Sequence, residues 1–247
     1  MTAIPAQSRA KDRKERAVID FHSHILPRID DGSQSVKETL ALLRILSGQG
    51  VDLVAATPHF YASRQPLAHF LEKREEAYEQ VRDALRKEPL LRAPEIRLGA
   101  EVWYYPGVSR LEEIRDLRLQ GTKLLLLEMP AERWSGYMLQ EVLDLNGSGA
   151  LTVVLAHIER CLPYQTGAVW DTLLENGVMF QVNASFLLEK RRALKWLKRG
   201  EIQWLGSDCH NLGSRAPHMG EAFEFLRKKL GDGFLAAFDA QNRSYFV

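Results

Sequence analysis

His22 and His24 stand two residues apart at the end of an apolar run, Val18-Ile19-Asp20-Phe21, that reads as a short buried strand. Side chains two apart on a strand share a face, so both imidazoles can grip one divalent cation without strain. Further metal-competent residues recur, each at the end of another apolar run. His59 comes after residues 51–56, Glu101 falls within 94–102 and Glu128 follows 124–127. His157 follows 151–156, and Asp208 and His210 follow 202–205. Burying a glutamate directly after four leucines is costly unless a cation pairs with it, and a metal is one such cation.

A shell of His, Asp and Glu without thiolate suits Mn²⁺, Fe or Zn²⁺ in a reactive site rather than a structural zinc finger. The donors exceed what one ion can use, which implies a cluster of two or three metals bridged by a carboxylate. Such clusters make hydroxide at neutral pH and stabilise the attacking and leaving oxygens of a phosphoryl displacement. Arg160, three residues past His157, and Arg215, five past His210, offer guanidinium forks that fit phosphate oxygens. His69 and His218 fall in helical or loop sequence and read as surface residues.

The elements that must position these groups alternate along the chain. Ser35 reads as an N-cap, with Glu38 three residues later and Leu40, Leu42, Leu43 and Leu46 on one stripe. A long charged helix is predicted over 66–87, further helices over 136–145, 186–198 and 217–230, and the C-terminal stretch is ambiguous. Between them lie seven strand candidates: 18–21, 51–56, 94–102, 123–129, 151–156, 178–182 and 202–205. Strands apolar throughout belong to parallel sheets covered by helices on both faces. The fold class is therefore α/β, a distorted TIM-like (β/α)7 barrel, with a doubly wound open sheet as the alternative. In a parallel barrel all the strand ends converge on one face, which gathers the eight donors above into one metal cluster.

Composition sets the outer bounds. With 45% hydrophobic and 26% charged residues and a net charge of +1, the 247-residue chain is expected to be a soluble globular protein. The charge gives no reason to invoke nucleic acid or an anionic membrane. The longest apolar run is too short to span a bilayer, and no signal-peptide core precedes it, so a cytoplasmic location is expected. Cys161 and Cys209 make no disulfide framework, which agrees with a reducing compartment. Residues 1–17 read as a flexible basic tail, and 18–247 as one domain.

The motifs His-x-His, Asp-Asp-Gly, Ala-Thr-Pro-His, Gly-Ala-Glu, Leu-Glu-Met-Pro, Ala-His-Ile-Glu-Arg and Ser-Asp-x-His-Asn, in that order, resemble the polymerase and histidinol phosphatase (PHP) superfamily. Within it they are most similar to the manganese-dependent protein-tyrosine phosphatases of capsular and exopolysaccharide operons, the CpsB/YwqE type. The resemblance implies a distorted seven-stranded barrel with a trinuclear site. It would put His22, His24, Glu101 and Asp208 on one metal, with Glu101 bridging to a second held by Glu128 and His157. Asp31, His59 and His210 would hold a third, and Arg160 and Arg215, with Asp31, would form the catalytic group around the phosphate. The implied partner is the phosphotyrosine tail of a bacterial tyrosine autokinase.

Other readings compete. Cys209 to Arg215 has the Cys-x5-Arg spacing of cysteine-dependent tyrosine phosphatases, in which a low-pKa thiolate attacks phosphorus. That mechanism leaves the eight strand-end donors unexplained. Histidinol-phosphate phosphatase or another small-molecule phosphatase, a nuclease, and a non-catalytic metal-binding partner of the kinase are the remaining alternatives. Trp103-Tyr104-Tyr105-Pro106, directly after Glu101, is expected to place aromatic rings beside the metals, where they could flank a phosphotyrosine.

Overall fold

Alternation along the strands, broken in the first of them by a register shift, sorts side chains between a barrel interior and an outer layer of helices. In β6 (Leu124–Glu128), Leu124 and Leu126 point inward while Leu125 and Leu127 face the helices, so Glu128 falls inward at the strand's C-terminal end. The computed structural model describes residues 18–246; the basic stretch 1–17 and residue 247 lie outside the described residues.

All the strand pairings are parallel. A three-stranded ladder runs β1 (Val18–Ser23), β2 (Val51–Ala56), β4 (Glu95–Leu98). A six-stranded ladder runs β3 (His59–Phe60), β5 (Glu101–Trp103), β6, β7 (Thr152–Leu155), β8 (Met179–Asn183), β9 (Trp204–Gly206). β3 continues β2 beyond a break at Thr57-Pro58, and β5 continues β4 beyond Gly99-Ala100. Counting each broken pair once, the nine described strands fill seven places in a ring. Residues 51–60 and 94–103 are thus single strands interrupted where they turn toward the site. The ring closes between β1 and the end of β9, where Asp208 N–H donates to His22 O (2.8 Å) and His24 N–H to Cys209 O (2.9 Å).

The expected helices form, with differences at their ends. α1 (Val36–Gly48) is capped by the Ser35 hydroxyl, which accepts from Glu38 N–H. Glu38 reaches back to Gln34 N–H rather than to the cap residue, so the box is shifted by one. α2 (Leu67–Lys87) and α3 (Gly136–Gly147) follow. α4 (Gly167–Glu175) has no counterpart in the pattern reading. The basic segment 186–198 is divided at Lys190 into α5 (Ala184–Glu189) and α6 (Arg191–Lys198). α7 (Met219–Leu230) and α8 (Asp232–Arg243) end the chain, and α8 resolves the ambiguous stretch. Only 3₁₀ turns lie between β5 and β6, which distorts the barrel there.

The barrel floor is apolar: Ile19, Phe21, Leu53, Leu124, Leu126, Val154 and Trp204 fill it. Phe21 stacks on Trp204 at 4.1 Å, and Tyr245 from the C-terminal end meets Trp204 edge-on at 5.5 Å. With the lower end plugged, polar inward residues are confined to the upper end. Among the described residues no helix is long and apolar enough to cross a membrane.

Candidate metal centre

All nine residues expected as ligands meet at the upper end of the barrel. In a deep corner, His22 Nε2 and His24 Nε2 each lie 3.2 Å from Glu101 Oε2, and 3.7 and 3.5 Å from Asp208 Oδ1. Donors sharing an ion about 2.1 Å away stand roughly 3.0–3.4 Å apart, so these separations suit a common cation. The other oxygen of Glu101 lies 2.7 Å from His157 Nε2, which is 3.2 Å from Glu128 Oε1. At the rim, Asp31 Oδ1 is 3.5 Å from both His59 Nε2 and His210 Nε2. Buried Glu101 Oε2, Glu128 Oε2, His59 Nδ1 and His210 Nε2 have no hydrogen-bond partner among the described residues. Unsatisfied buried donors and acceptors converging on shared points are what a cation would resolve, and the residue set fits metal ions.

Local backbone features aim these side chains. Simple alternation from Ile19 and Phe21 would send His22 and His24 outward. A register shift between Asp20 and Ser23 changes the phase, so both apolar floor and ligands face inward. Gly206 lets β9 pass against His22, since a Cβ there would come within 2.5 Å of the His22 Cβ. Gly32 does the same for the Asp30-Asp31-Gly32 loop, which folds directly over the His24 backbone. His157 (φ 27°) and Asp208 (φ 51°) adopt left-handed backbone just past their strands. Each such non-glycine residue costs about 1–3 kcal/mol, strain of the kind that clusters where side-chain direction serves function.

Partners behind the ligands fix their orientation. Asp30 Oδ2 pairs with His24 Nδ1 at 2.7 Å and accepts His59 N–H at 2.9 Å, while its other oxygen accepts Gly32 N–H. Gln181 Oε1 accepts His157 N–H (2.7 Å) and lies 3.2 Å from His22 Nδ1. Asn183 donates to Asp208 Oδ2 at 2.9 Å. Carboxylates and amides in this position set the tautomer and basicity of ligating groups. These three residues were not singled out from sequence. For Asp30 the signal was present, because two adjacent acids allow one to ligate and one to orient; for Gln181 and Asn183 only their inward strand positions could have pointed to them.

The electrostatics favour cations strongly. Five carboxylates (Asp30, Asp31, Glu101, Glu128, Asp208) face two guanidinium groups, a surplus of three negative charges when the imidazoles are neutral. Burial opposes protonation of His24, but Asp30 and Glu101 outweigh it and push the group up to about 10. Burial likewise opposes protonation of His157, and Glu101 with Glu128 push it up to about 10. Burial would raise Glu101 and Asp208, yet the histidines around them, His22 foremost, hold both below the usual carboxylate range. His210 goes the other way, down to about 4, through burial and then the charges of His24 and Arg215.

Both expected arginines reach the same edge. Arg160 lies 2.7 Å from Asp208 and 3.3 Å from Glu128, and Arg215 lies 2.8 Å from Asp208. Their side chains are 42% and 36% exposed, so each is held by a ligand carboxylate while still reachable by an incoming anion. His69 and His218 are surface residues, as expected.

One competing reading is removed and one expectation is corrected. Cys209 is fully buried, and burial with the charges of Asp20 and Asp208 drives its thiol far above the usual range, so it cannot serve as a nucleophilic thiolate. Of the aromatic segment, only Trp103 stands at the rim. Tyr104 is buried with its hydroxyl donating to Glu141 (2.7 Å), and the Tyr105 hydroxyl is buried as well, because the chain turns outward toward α3. Tyr61, next to His59 with ring centroids 5.3 Å apart, is the aromatic neighbour the sequence reading missed.

Residues 18–247 match the family model for capsular polysaccharide synthesis, CpsB/CapC. This chain belongs to the CpsB/CapC family. Tyrosine-protein phosphatase CpsB of Streptococcus pneumoniae is 31% identical over 237 residues, covering 87% of this chain and 91% of that protein. Tyrosine-protein phosphatase YwqE of Bacillus subtilis (strain 168) is 30% identical, covering 87% and 85%. The fold superposes on crystal structures of YwqE from Bacillus subtilis and CpsB from Streptococcus pneumoniae, metal-dependent tyrosine phosphatases. The TM-score is 0.79 at 26% identity, over 93% of this chain and 94% of that one.

Proposed function

We propose that this CpsB/CapC-family chain is a metal-dependent protein-tyrosine phosphatase of capsule or exopolysaccharide synthesis. The observation that carries the reading is Glu101, fully buried, with one oxygen facing His22 and His24 and the other facing His157. A carboxylate placed that way suits a bridge between two ions. His22, His24 and Asp208 would hold a first ion with Glu101, Glu128 and His157 a second, and Asp31, His59 and His210 a third. Mixed imidazole and carboxylate donors fit Mn²⁺, with Fe or Zn²⁺ as other occupants. When bound, the ions supply Lewis-acid activation of water and of the phosphoryl oxygens. Arg160 and Arg215 turn from their carboxylates to the phosphate oxygens and hold the group in line. Asn183 and Gln181 keep Asp208 and His22 aimed throughout.

The phosphoprotein proposed as substrate is the phosphotyrosine tail of a bacterial tyrosine autokinase, a reading supported by the family's place in capsular polysaccharide synthesis. The test is metal analysis of protein purified without chelator, paired with kcat/KM on phosphotyrosine peptide and on histidinol phosphate. Two or three ions per chain, loss of activity on chelation, return with Mn²⁺ and preference for the peptide are expected. Activity surviving exhaustive chelation would reject the metal mechanism; a tenfold preference for histidinol phosphate would reject the protein substrate and leave the metal site standing.

A further inference from the structure

The strand pairing that sets His59 beside Glu101 carries on past the ligands. β3 and β5 pair in register, His59 with Glu101 and Phe60 with Val102, so Tyr61 and Trp103 come next to each other at the rim. Their ring centroids are 6.0 Å apart at 37°. Arg64 lies over the Tyr61 ring at 4.3 Å, although its own side chain is exposed. Both rings are partly exposed, in contrast to the buried Tyr104. Two aromatic faces left at the mouth of a charged site, one of them backed by a guanidinium, are poorly explained by core packing.

The spacing along the strand also fits a ligand. Tyr61 and Trp103 lie two residues beyond a candidate ligand each, about 6–7 Å further along an extended strand. A phenyl ester reaches about 4 Å from its oxygen to the carbon opposite, so a ring whose phosphoryl group sits at the ligands falls short of that distance and lies beside the wall rather than beyond it. We infer that the Tyr61–Trp103 wall, stiffened by Arg64, is the seat of the substrate's aromatic ring and selects aryl over alkyl phosphomonoesters. The inference rests on the phosphomonoesterase reading above and adds to it the residues that read the leaving group. Tyr61 and Trp103 are specificity residues; they lie alongside the ring while the metals and arginines handle the phosphoryl group. Edge-to-face or offset contact with one ring shifts KM by roughly three- to tenfold.

The test uses full-length, metal-loaded enzyme and the ratio of kcat/KM for phenyl phosphate over glycerol 2-phosphate. Wild type is expected to favour phenyl phosphate. Tyr61→Ala and Trp103→Ala should each lower that ratio about three- to tenfold, chiefly through KM for the aryl ester, at unchanged metal content. Tyr61→Phe, which keeps the ring, should hold the wild-type ratio. A ratio unmoved in both alanine variants, with both substrates falling together or neither falling, would overturn the wall as the ring's seat. A wild-type enzyme with no preference for the aryl ester would overturn the wall as well, whereas metal-loaded wild type that hydrolyses neither ester would overturn the parent reading, so the two failures are distinguishable.

Discussion

The deep corner and the rim corner of the candidate metal centre use the same residue types and share a contact, His59 Nδ1 lying 2.9 Å from Glu101 Oε2, but differ in exposure and in the support behind their carboxylates. His22, His24 and Glu101 are fully buried and Asp208 almost so, and Gln181, Asp30 and Asn183 hold His22, His24 and Asp208 from behind. At the rim, Asp31 is 65% exposed and His59 12%, and Asp31 rides on a loop with Arg215 3.8 Å away. A site walled by strands and oriented partners is pre-formed and slow to exchange. One closed by an exposed loop carboxylate can open to a ligand. The difference teaches that one cluster of ligand-type side chains can divide its work: ions held in the deep corner would be fixed, and one at the rim would be the exchangeable, substrate-facing part.

Removing the bridge should have the largest effect. Glu101→Gln is expected to lower bound metal by more than one ion per chain and kcat by about 10³-fold or more, roughly 4 kcal/mol of barrier. Asp31→Asn should cost only one ion, with activity recovered in part by excess Mn²⁺. Metal analysis beside kinetics separates the two, and equal metal loss in both variants would erase the distinction between corners.

Asp30→Asn sharpens the comparison from behind the ligands. It should weaken metal binding about 10–100-fold while leaving the number of sites unchanged, measured by competition with a chelating dye. An unchanged affinity would show that Asp30 serves the loop alone.

Proton competition should differ between corners as well. His24 and His157 are both drawn up to about 10, so a cation entering the deep corner must displace protons, and its affinity should rise with pH. His210, down at about 4, is neutral already, and on its account the rim affinity should stay nearly flat between about pH 6 and pH 8. For metal-free protein the sign reverses. A raised histidine contributes stability that is full below about 6.5 and is lost as pH climbs through about 10. Chelated protein should therefore lose Tm across that window, whereas loaded protein should not. Calorimetry in buffers of different ionisation enthalpy counts the protons released.

Cys209→Ser is expected to have the smallest effect. The side chain is buried beside the ligands without touching the phosphate path, so kcat should stay within about tenfold of wild type, or about 1.4 kcal/mol. A loss of several orders of magnitude in folded, metal-loaded protein would restore the thiolate mechanism.

Much of this division was legible in the sequence, and the limits have physical causes. The seven apolar runs gave the ring and put eight of the nine candidate ligands at strand ends, because a doubly buried parallel strand leaves a polar residue nowhere else to go; Asp31, on a loop, came only from the resemblance. The pattern could not show that residues 51–60 and 94–103 are broken strands, since Thr57-Pro58 and Gly99-Ala100 interrupt the ladder without interrupting the hydrophobicity. Nor could it show the register shift in β1, which is a property of pairing rather than of one strand. Tyr104 reads as polar-aromatic and thus rim-seeking; only the fold reveals Glu141 waiting for its hydroxyl. α4 was missed between the two strands it joins, where Trp170 and Leu173 supply too short a stripe to stand out.

The seam between β1 and β9 makes the cluster a clasp. Ligands His22 and His24 enter from near the start of the described chain, Asp208 and His210 from near its end, and the hydrogen bonds that shut the ring lie among them. Closing so long a loop carries the largest entropic toll of any pairing in the fold and is expected late on the folding route. A cation shared across the seam would act as a reversible crosslink, holding the first strand and the last together much as a disulfide would in an oxidising compartment. Amide exchange at His24 and Asp208 should slow on metal loading far more than at Leu126 in the middle of the ladder. Equal slowing everywhere would mean the ions steady the barrel as a whole rather than its seam.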